Sequence, residues 1–403
     1  MEAAIMRKTT IGLMLVVAIL ALHPSARAEV GVTDTTILVG TSTDFSGPLV
    51  FAGTESMVGV ESYFEYVNSK GGVHGRKLAW KWYDQAYKPQ EAVMNVKRLV
   101  EQDGVFCILI NEGTATVAAV IPYLEQNKIP LIFPFQGDSA YHGRKYIFNT
   151  FAYYDTQTRI ITQWLIEKKG MKKIGIIYQD DVYGQMYLDD LKKELAAHGL
   201  SLAAAESVKR GAVDVAAQVA KLAAADLDAC LMALVPGPGA QVLKEAQKVG
   251  WKKAKIVSAG PLTDEKFLIL SGGAGEGVLG LALWPDPVHS QLPAMKQYRE
   301  IVAKYRPGHE PNRYSLFGYF YAMLFVEGLK GAGRDLTREG LIRSLESIKN
   351  WKNGIINPVS FSPEDHHATD EGFMVEVRDN RFVPISGWLS VRGGKIKETP
   401  LQQ

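Results

Sequence analysis

Asn111-Glu112-Gly113-Thr114-Ala115-Thr116 follows the apolar run 105–110 and opens a helical pattern. A hydroxyl and unpaired backbone amides thus gather at one helix N-terminus, beyond the carboxyl end of a strand, and this chemistry suits a carboxylate. The same residues also serve as a plain N-cap through Thr114. One helix end is worth only about 0.3–2 kcal/mol to an anion, whereas micromolar binding takes about 8 kcal/mol. Further contacts are therefore required. Pro236-Gly237-Pro238-Gly239 sits between a strand and a helix. Its backbone there either touches a ligand or makes an ordinary turn.

Catalytic templates fail on this chain. There is no Gly-x-Ser-x-Gly elbow, no Walker-type phosphate loop and no His-Glu-x-x-His zinc helix. Gly273-Ala274-Gly275-Glu276-Gly277 has the wrong spacing for a dinucleotide fingerprint and precedes a strand, so it reads as a flexible loop. His366-His367 stand beside Asp365 and Asp370, but no second ligand cluster lies nearby in sequence. A solvated loop is the better reading of them. No enzyme activity, metal or cofactor is expected.

The elements that position these residues alternate. Strands are expected at 36–40, 77–83, 105–110 and 129–133, with helices at 53–68, 89–101 and from Thr114. A second series has helices at 156–169, 184–198, 213–224 and 240–249. They separate strands at 173–178, near Leu202, around Cys230 and at 255–257. Strands spaced by helices of this length predict parallel sheets covered on both faces, and two series predict two lobes. Helices at 292–305, 313–329 and 337–348 follow. Short strands are then expected at 359–361, 373–377 and 382–385, the last two forming a hairpin through Arg378-Asp379-Asn380-Arg381.

Arg7 and Lys8, an apolar run over 11–22, Pro24 and the triplet Ala26-Arg27-Ala28 have the layout of a secretory signal cleaved before Glu29. The run is shorter than the roughly 20 residues a bilayer span needs. Removing 1–28 takes away three basic and one acidic side chain, and the formal charge falls from +2 to zero. A neutral chain without a basic stripe gives no footprint for nucleic acid. Cys107 and Cys230 lie in separate apolar runs that read as core strands, so both are expected free and buried.

Several segments, in order, resemble the branched-chain (Leu/Ile/Val) amino-acid-binding proteins of ABC transporters. They are Ser46-Gly47-Pro48, the stretch Gly71-Gly72-Val73-His74-Gly75-Arg76-Lys77-Leu78, Tyr83-Asp84 with Pro89 and Ala92, the Thr114 helix start, Ile129–Ile132 with Pro134, and Asp180-Asp181-Val182-Tyr183-Gly184. The resemblance covers nearly the whole mature length. It implies a two-lobed α/β periplasmic-binding-protein-like fold, each lobe a mostly parallel sheet flanked by helices, joined by three interlobe crossings near 150, 283 and 370. Lobe one would hold 30–150 and 284–369, and lobe two 151–283 and 370–403, after a signal peptide at 1–28. It further implies a periplasmic monomer that closes on a small-molecule ligand and docks on an ABC transporter permease. A sensory binding protein is the alternative in that respect.

By the same likeness the family's carboxylate-binding hydroxyl falls on Thr114, with amides from Ala115 and Thr116. A second lobe-one loop falls on Phe135-Gln136-Gly137, and a lobe-two tyrosine on Tyr183. The acidic partners of a ligand ammonium fall near Tyr154 and Ala259, which are not acidic, though Asp155 is adjacent to the first. The family's disulfide positions fall near Tyr87 and Gly113, so that bond is absent. With Pro236, these are the candidate binding residues. An enclosed ammonium without an acid pays several kcal/mol of desolvation. The pocket candidates Phe51, Phe135, Phe151, Tyr153, Tyr154 and Tyr183 are aromatic instead. Two ligand classes follow: a hydrophobic amino acid, as the family implies, or an aromatic or other apolar carboxylate without an amine.

Overall fold

The computed structural model describes residues 29–401, and the expected signal segment 1–28 lies outside the described residues. The chain folds as two sheets covered by helices. The first sheet contains β1 (Thr36–Thr43), β2 (Lys77–Asp84), β3 (Ile108–Leu109), β4 (Leu131–Ile132) and β5 (Ile147–Phe148), all parallel, in the order β2-β1-β3-β4-β5. Between them run α1 (Val50–Ser69), α2 (Pro89–Glu101) and α3 (Thr114–Gln126).

The second sheet takes β6 (Ile174–Gln179), β7 (Ala204–Val208), β8 (Ala229–Ala233), β9 (Lys255–Ser258) and β10 (Leu279–Ala282) in parallel. The late strands β11 (Phe373–Arg378) and β12 (Arg381–Pro384) extend it antiparallel, giving the order β12-β11-β10-β9-β8-β6-β7. Its helices are α4 (Tyr154–Gln163), continued by a wider π turn over Trp164–Lys168, then α5 (Val182–Ala197), α6 (Ala216–Ala224), α7 (Pro236–Lys248) and α8 (Glu265–Ser271).

Three more helices, α9 (Pro293–Tyr305), α10 (Arg313–Ala332) and α11 (Arg338–Glu346), return to the first lobe. α10 is buried almost all round, which matches its nearly unbroken apolar sequence. Its Asn312 and Ser315 form a reciprocal capping box. It crosses α1 so closely that a Cβ on Gly59 would lie 1.9 Å from the Ser315 carbonyl oxygen. One on Gly318 would lie 1.8 Å from that of Ser56. Among the described residues no helix is long and apolar enough to cross a membrane.

The chain passes between the lobes three times, after β5, after β10 and before β11. The first and third passages run side by side. Asn149 N–H donates to His366 O at 2.9 Å, Ala368 N–H to Asn149 O at 3.0 Å, and Tyr153 N–H to Asp370 Oδ1 at 3.1 Å.

Several expectations need correction. Residues 359–361 form no strand, because Val359 makes only an isolated bridge to Trp351. The helix expected from Ala240 begins at Pro236, so Pro236-Gly237-Pro238-Gly239 is a first helical turn and not a loop. Proline is tolerated there because its missing N–H would be unpaired in any case. His366 and His367 are buried, not solvated: His366 stacks on Phe148 at 3.9 Å, and the His367 ring lies 3.7 Å from that of Tyr153. The tail also holds a hairpin the sequence pattern had not suggested, β13 (Trp388–Arg392) with β14 (Lys395–Thr399). The β11–β12 hairpin does form at the expected turn, with Asp379 and Asn380 at φ 51° and 56°, as a type I′ turn requires. Both cysteines are free and buried.

Candidate functional site

Two adjoining strands of lobe one end under backbone strain before they enter the cleft. Ile110, just after β3, has φ 52°, and Phe133, just after β4, has φ 53°. Such conformations cost about 1–3 kcal/mol each and persist only when their surroundings over-determine them. Here the ladder continues past both kinks. Phe135 N–H donates to Asn111 O at 2.9 Å, and Gly113 N–H to Phe135 O at 3.1 Å. The two loops therefore enter the interlobe space as one unit. Gly113 (φ 89°) leaves room for the Tyr87 ring, which a Cβ there would approach to 2.4 Å.

α3 starts at once. Its first intrahelical bond runs from Val117 N–H to Gly113 O at 2.9 Å, so the amides of Thr114, Ala115 and Thr116 open the helix. The Thr114 hydroxyl lies 3.1 Å from the Tyr154 hydroxyl across the cleft. The Thr116 hydroxyl donates back to Gly113 O at 2.9 Å and to Glu112 O, so it serves its own helix.

A narrow void of about 30 Å³ lies beside Thr114, room for one or two waters while the lobes are together. Phe135, Phe151, Tyr154, Tyr183 and Tyr87 surround it, with Leu49, Gly113, Val235 and Pro261. The hydroxyl of Tyr183 is buried there without a hydrogen-bond partner among the described residues. Burial raises its pKa well above the usual phenol range, so it is a neutral donor. Among the described residues no carboxylate lines this void. Asp155 does not reach it and instead bonds Thr156 N–H.

Of the sequence-predicted residues, Thr114, Phe135, Tyr154 and Tyr183 come together around the void, joined by Phe151. Phe51 and Tyr153 do not. Gln136 turns its carbonyl oxygen of the side chain onto Asp138 N–H. Gly137 accepts Tyr154 N–H at 2.7 Å, and a Cβ there would clash with the Tyr154 ring at 2.7 Å. Ala259 is buried one residue before a short turn, Gly260–Leu262, whose Pro261 makes the contact. Pro236 is likewise buried next to the lining residue Val235. Its helix start is poor in donors: Pro236 and Pro238 have no N–H, and Gly239 N–H already bonds Val235 O at 3.1 Å.

A second void of about 20 Å³ shares Phe135, Phe151 and Pro261 with the first. Asp264, Trp284, Arg313 and Phe317 belong to it, none of which sequence reasoning had picked out. Asp264 accepts Lys266 N–H at 2.7 Å and Tyr314 N–H at 2.9 Å. Burial, with the charge of Glu265, pushes its pKa up to about 8. The lobes meet around both voids. Arg210 pairs with Asp181 at 2.8 Å and donates to Tyr87 O at 3.0 Å, with its guanidinium 4.4 Å from the Tyr87 ring centre. Lys266 reaches Glu55 at 3.3 Å, and Tyr314 OH donates to Pro261 O at 2.7 Å. The cleft is shut.

Beneath the Thr114 loop lies a buried acid pair, Asp44 and Glu112. Burial pushes Asp44 up to about 7, and burial with the neighbouring Asp44 raises Glu112 as well. Asp44 accepts Tyr87 N–H and Thr43 Oγ1 donates to Glu112 at 2.8 Å, so the pair braces two walls of the void. Among the described residues no group of three or more His, Cys, Asp or Glu side chains is placed to hold a metal ion.

Comparison with known proteins gives a consistent picture. The periplasmic binding protein family model matches residues 36–381. The Leu/Ile/Val-binding protein homolog 1 of Brucella suis biovar 1 (strain 1330) is 28% identical over 339 residues, covering 83% of this chain and 87% of that protein. A fatty acid ABC transporter substrate-binding protein from Thermomonospora curvata superposes with a TM-score of 0.83 at 28% identity, covering 93% of this chain and 97% of the other. A branched-chain amino acid ABC transporter protein from Thermus thermophilus with bound valine gives 0.81 at 20% identity, covering 89% and 97%. The chain therefore belongs to the periplasmic binding protein family, among the relatives of the Leu/Ile/Val-binding proteins.

Proposed function

We propose that this protein captures a small apolar carboxylic acid lacking an amine and delivers it, from the periplasm and as a monomer, to an ABC transporter permease. The lobes in that reading comprise 30–150 with 284–369, and 151–283 with 370–403. The observation that carries it is the composition of the void beside Thr114: aromatic walls, Thr114 at the start of α3, the unpartnered Tyr183 hydroxyl, and no acid among its lining residues to match an ammonium. The ligand carboxylate would meet Thr114, the amides of Ala115 and Thr116, and Tyr183. Because these groups come from both lobes, ligand favours the closed form over the open one, as hinge closure requires. The Thermomonospora curvata relative, named for a fatty acid, agrees with an acid that has no amine.

A hydrophobic amino acid is the second reading. Asp264 at the neighbouring void and the valine in the Thermus thermophilus relative favour it. A thermal-shift panel of leucine, isoleucine, valine, phenylalanine, benzoate and phenylpropanoid acids separates the two. Ligand at 100 times its Kd adds about 2.7 kcal/mol to stability. Stabilisation by the amino acids alone overturns the amine-free reading.

A further inference from the structure

Arg313 opens α10 on the lobe-one side of the second void and is only 3% exposed. Its Nε donates to Trp284 O at 3.0 Å, and Nη1 pairs with Glu265 of lobe two. Its Nη2 is buried and has no partner among the described residues. A guanidinium nitrogen left so is costly unless something accepts from it. Asp264, on the same void, does not accept from it: its oxygens take the N–H groups of Lys266 and Tyr314, and Nη2 makes no bond to it.

The charge of Arg313 is matched by Glu265, so a second carboxylate in this chamber would face an acid with no spare cation. A neutral oxygen carries no such penalty. The chamber walls, Phe135, Phe151, Trp284 and Phe317, accept an apolar body. The first two also line the void at Thr114, so the chambers meet there.

We infer that Arg313 is a specificity-determining residue of the cleft, its Nη2 donating to a neutral hydroxyl or carbonyl oxygen on the end of the ligand remote from its carboxylate. The bound molecule then has an apolar body crossing Phe135, Phe151 and Pro261, and a polar group at each end. This rests on the carboxylic-acid reading of the Thr114 chamber.

Isothermal titration of the mature chain with phenylpropanoate and with its para-hydroxy derivative tests it, because the two differ by one remote oxygen. The para-hydroxy acid is expected to bind about tenfold or more tightly. The preference disappears in Arg313→Met combined with Glu265→Gln, which removes both charges together, while phenylpropanoate still binds. Arg313→Lys, which keeps the ion pair but lacks the second donor arm, loses the preference too and guards against a folding failure of the double variant. Equal affinities in the unaltered protein, or a preference that survives in the variants, overturns the inference and leaves the Thr114 chamber intact. Binding of neither acid overturns the carboxylic-acid reading, and this inference with it.

Discussion

Replacing Tyr183 with Phe should move closure and affinity in opposite directions. In the closed form the Tyr183 ring packs edge-on against Tyr154 and Tyr187, with ring centres 5.3 Å apart in each pair, and its buried hydroxyl has no partner among the described residues. In an open form the same hydroxyl meets water. Closing without ligand therefore strands a polar group, at about 1–3 kcal/mol. Tyr183→Phe removes that penalty, and the ligand-free protein should shift toward the closed form by about 5- to 150-fold. With ligand the sign reverses. A hydrogen bond to a carboxylate contributes about 1.5–3 kcal/mol, so an apolar acid should bind roughly 10- to 150-fold more weakly. Small-angle scattering of the ligand-free protein reads the first effect as a smaller radius of gyration. Calorimetric titration with phenylpropanoate reads the second. A variant as open as the unaltered protein, with the same affinity, refutes the assignment of this hydroxyl to the ligand.

Three further outcomes follow from the packing and the buried groups. Gly59→Ala sets a methyl 1.9 Å from Ser315 O and 2.5 Å from Tyr319 N, both backbone atoms, and should cost about 1–3 kcal/mol or more in urea unfolding. The acid pair gives a pH dependence of stated sign. Asp44 is raised to about 7 when folded, against about 3.9 when unfolded, so the folded state holds a proton that the unfolded state releases. Stability from this source declines as pH rises from about 4 to about 7, and Asp44→Asn should flatten that decline in denaturant titrations at several pH values; an unchanged slope contradicts it. Cys107 and Cys230 are fully buried, and burial pushes the Cys230 thiol up to about 12 and raises Cys107 too. A thiol reagent should find no reactive cysteine in the native protein and two after unfolding.

The alternation of strands and helices was legible because the apolar strand runs are short and most of the helices keep an amphipathic stripe, α10, apolar almost all round, being the exception. Asp379-Asn380 announced its hairpin because those residue types tolerate positive φ. Gly393-Gly394 carried the same signal for β13 and β14, at φ 60° and 77°. It was obscured because the β14 residues are mostly exposed and show no clean apolar alternation. Pro236 and Pro238 suggested a loop because proline breaks helices everywhere except in the first turn. On the lobe-one side Thr114 was legible locally, as a helix start after a strand, whereas Phe135 was reached only through the family resemblance. Asp264, Trp284 and Arg313 were not legible, since they come from three distant segments and acquire their roles only by meeting. His366 and His367 show the same limit: their burial depends on Phe148 and Tyr153, more than 200 residues earlier.

The pairing of the first and third interlobe passages has a mechanical meaning. Two backbones laced together at Asn149, His366 and Ala368, and again at Tyr153 and Asp370, resist shear and twist between them, yet both bend across their common width. Such a two-ply ribbon acts like a leaf spring clamped at each end. Bending across the ribbon is thus easier than sliding or twisting it, which favours a hinge that brings opposing groups such as Thr114 and Tyr154 back into register.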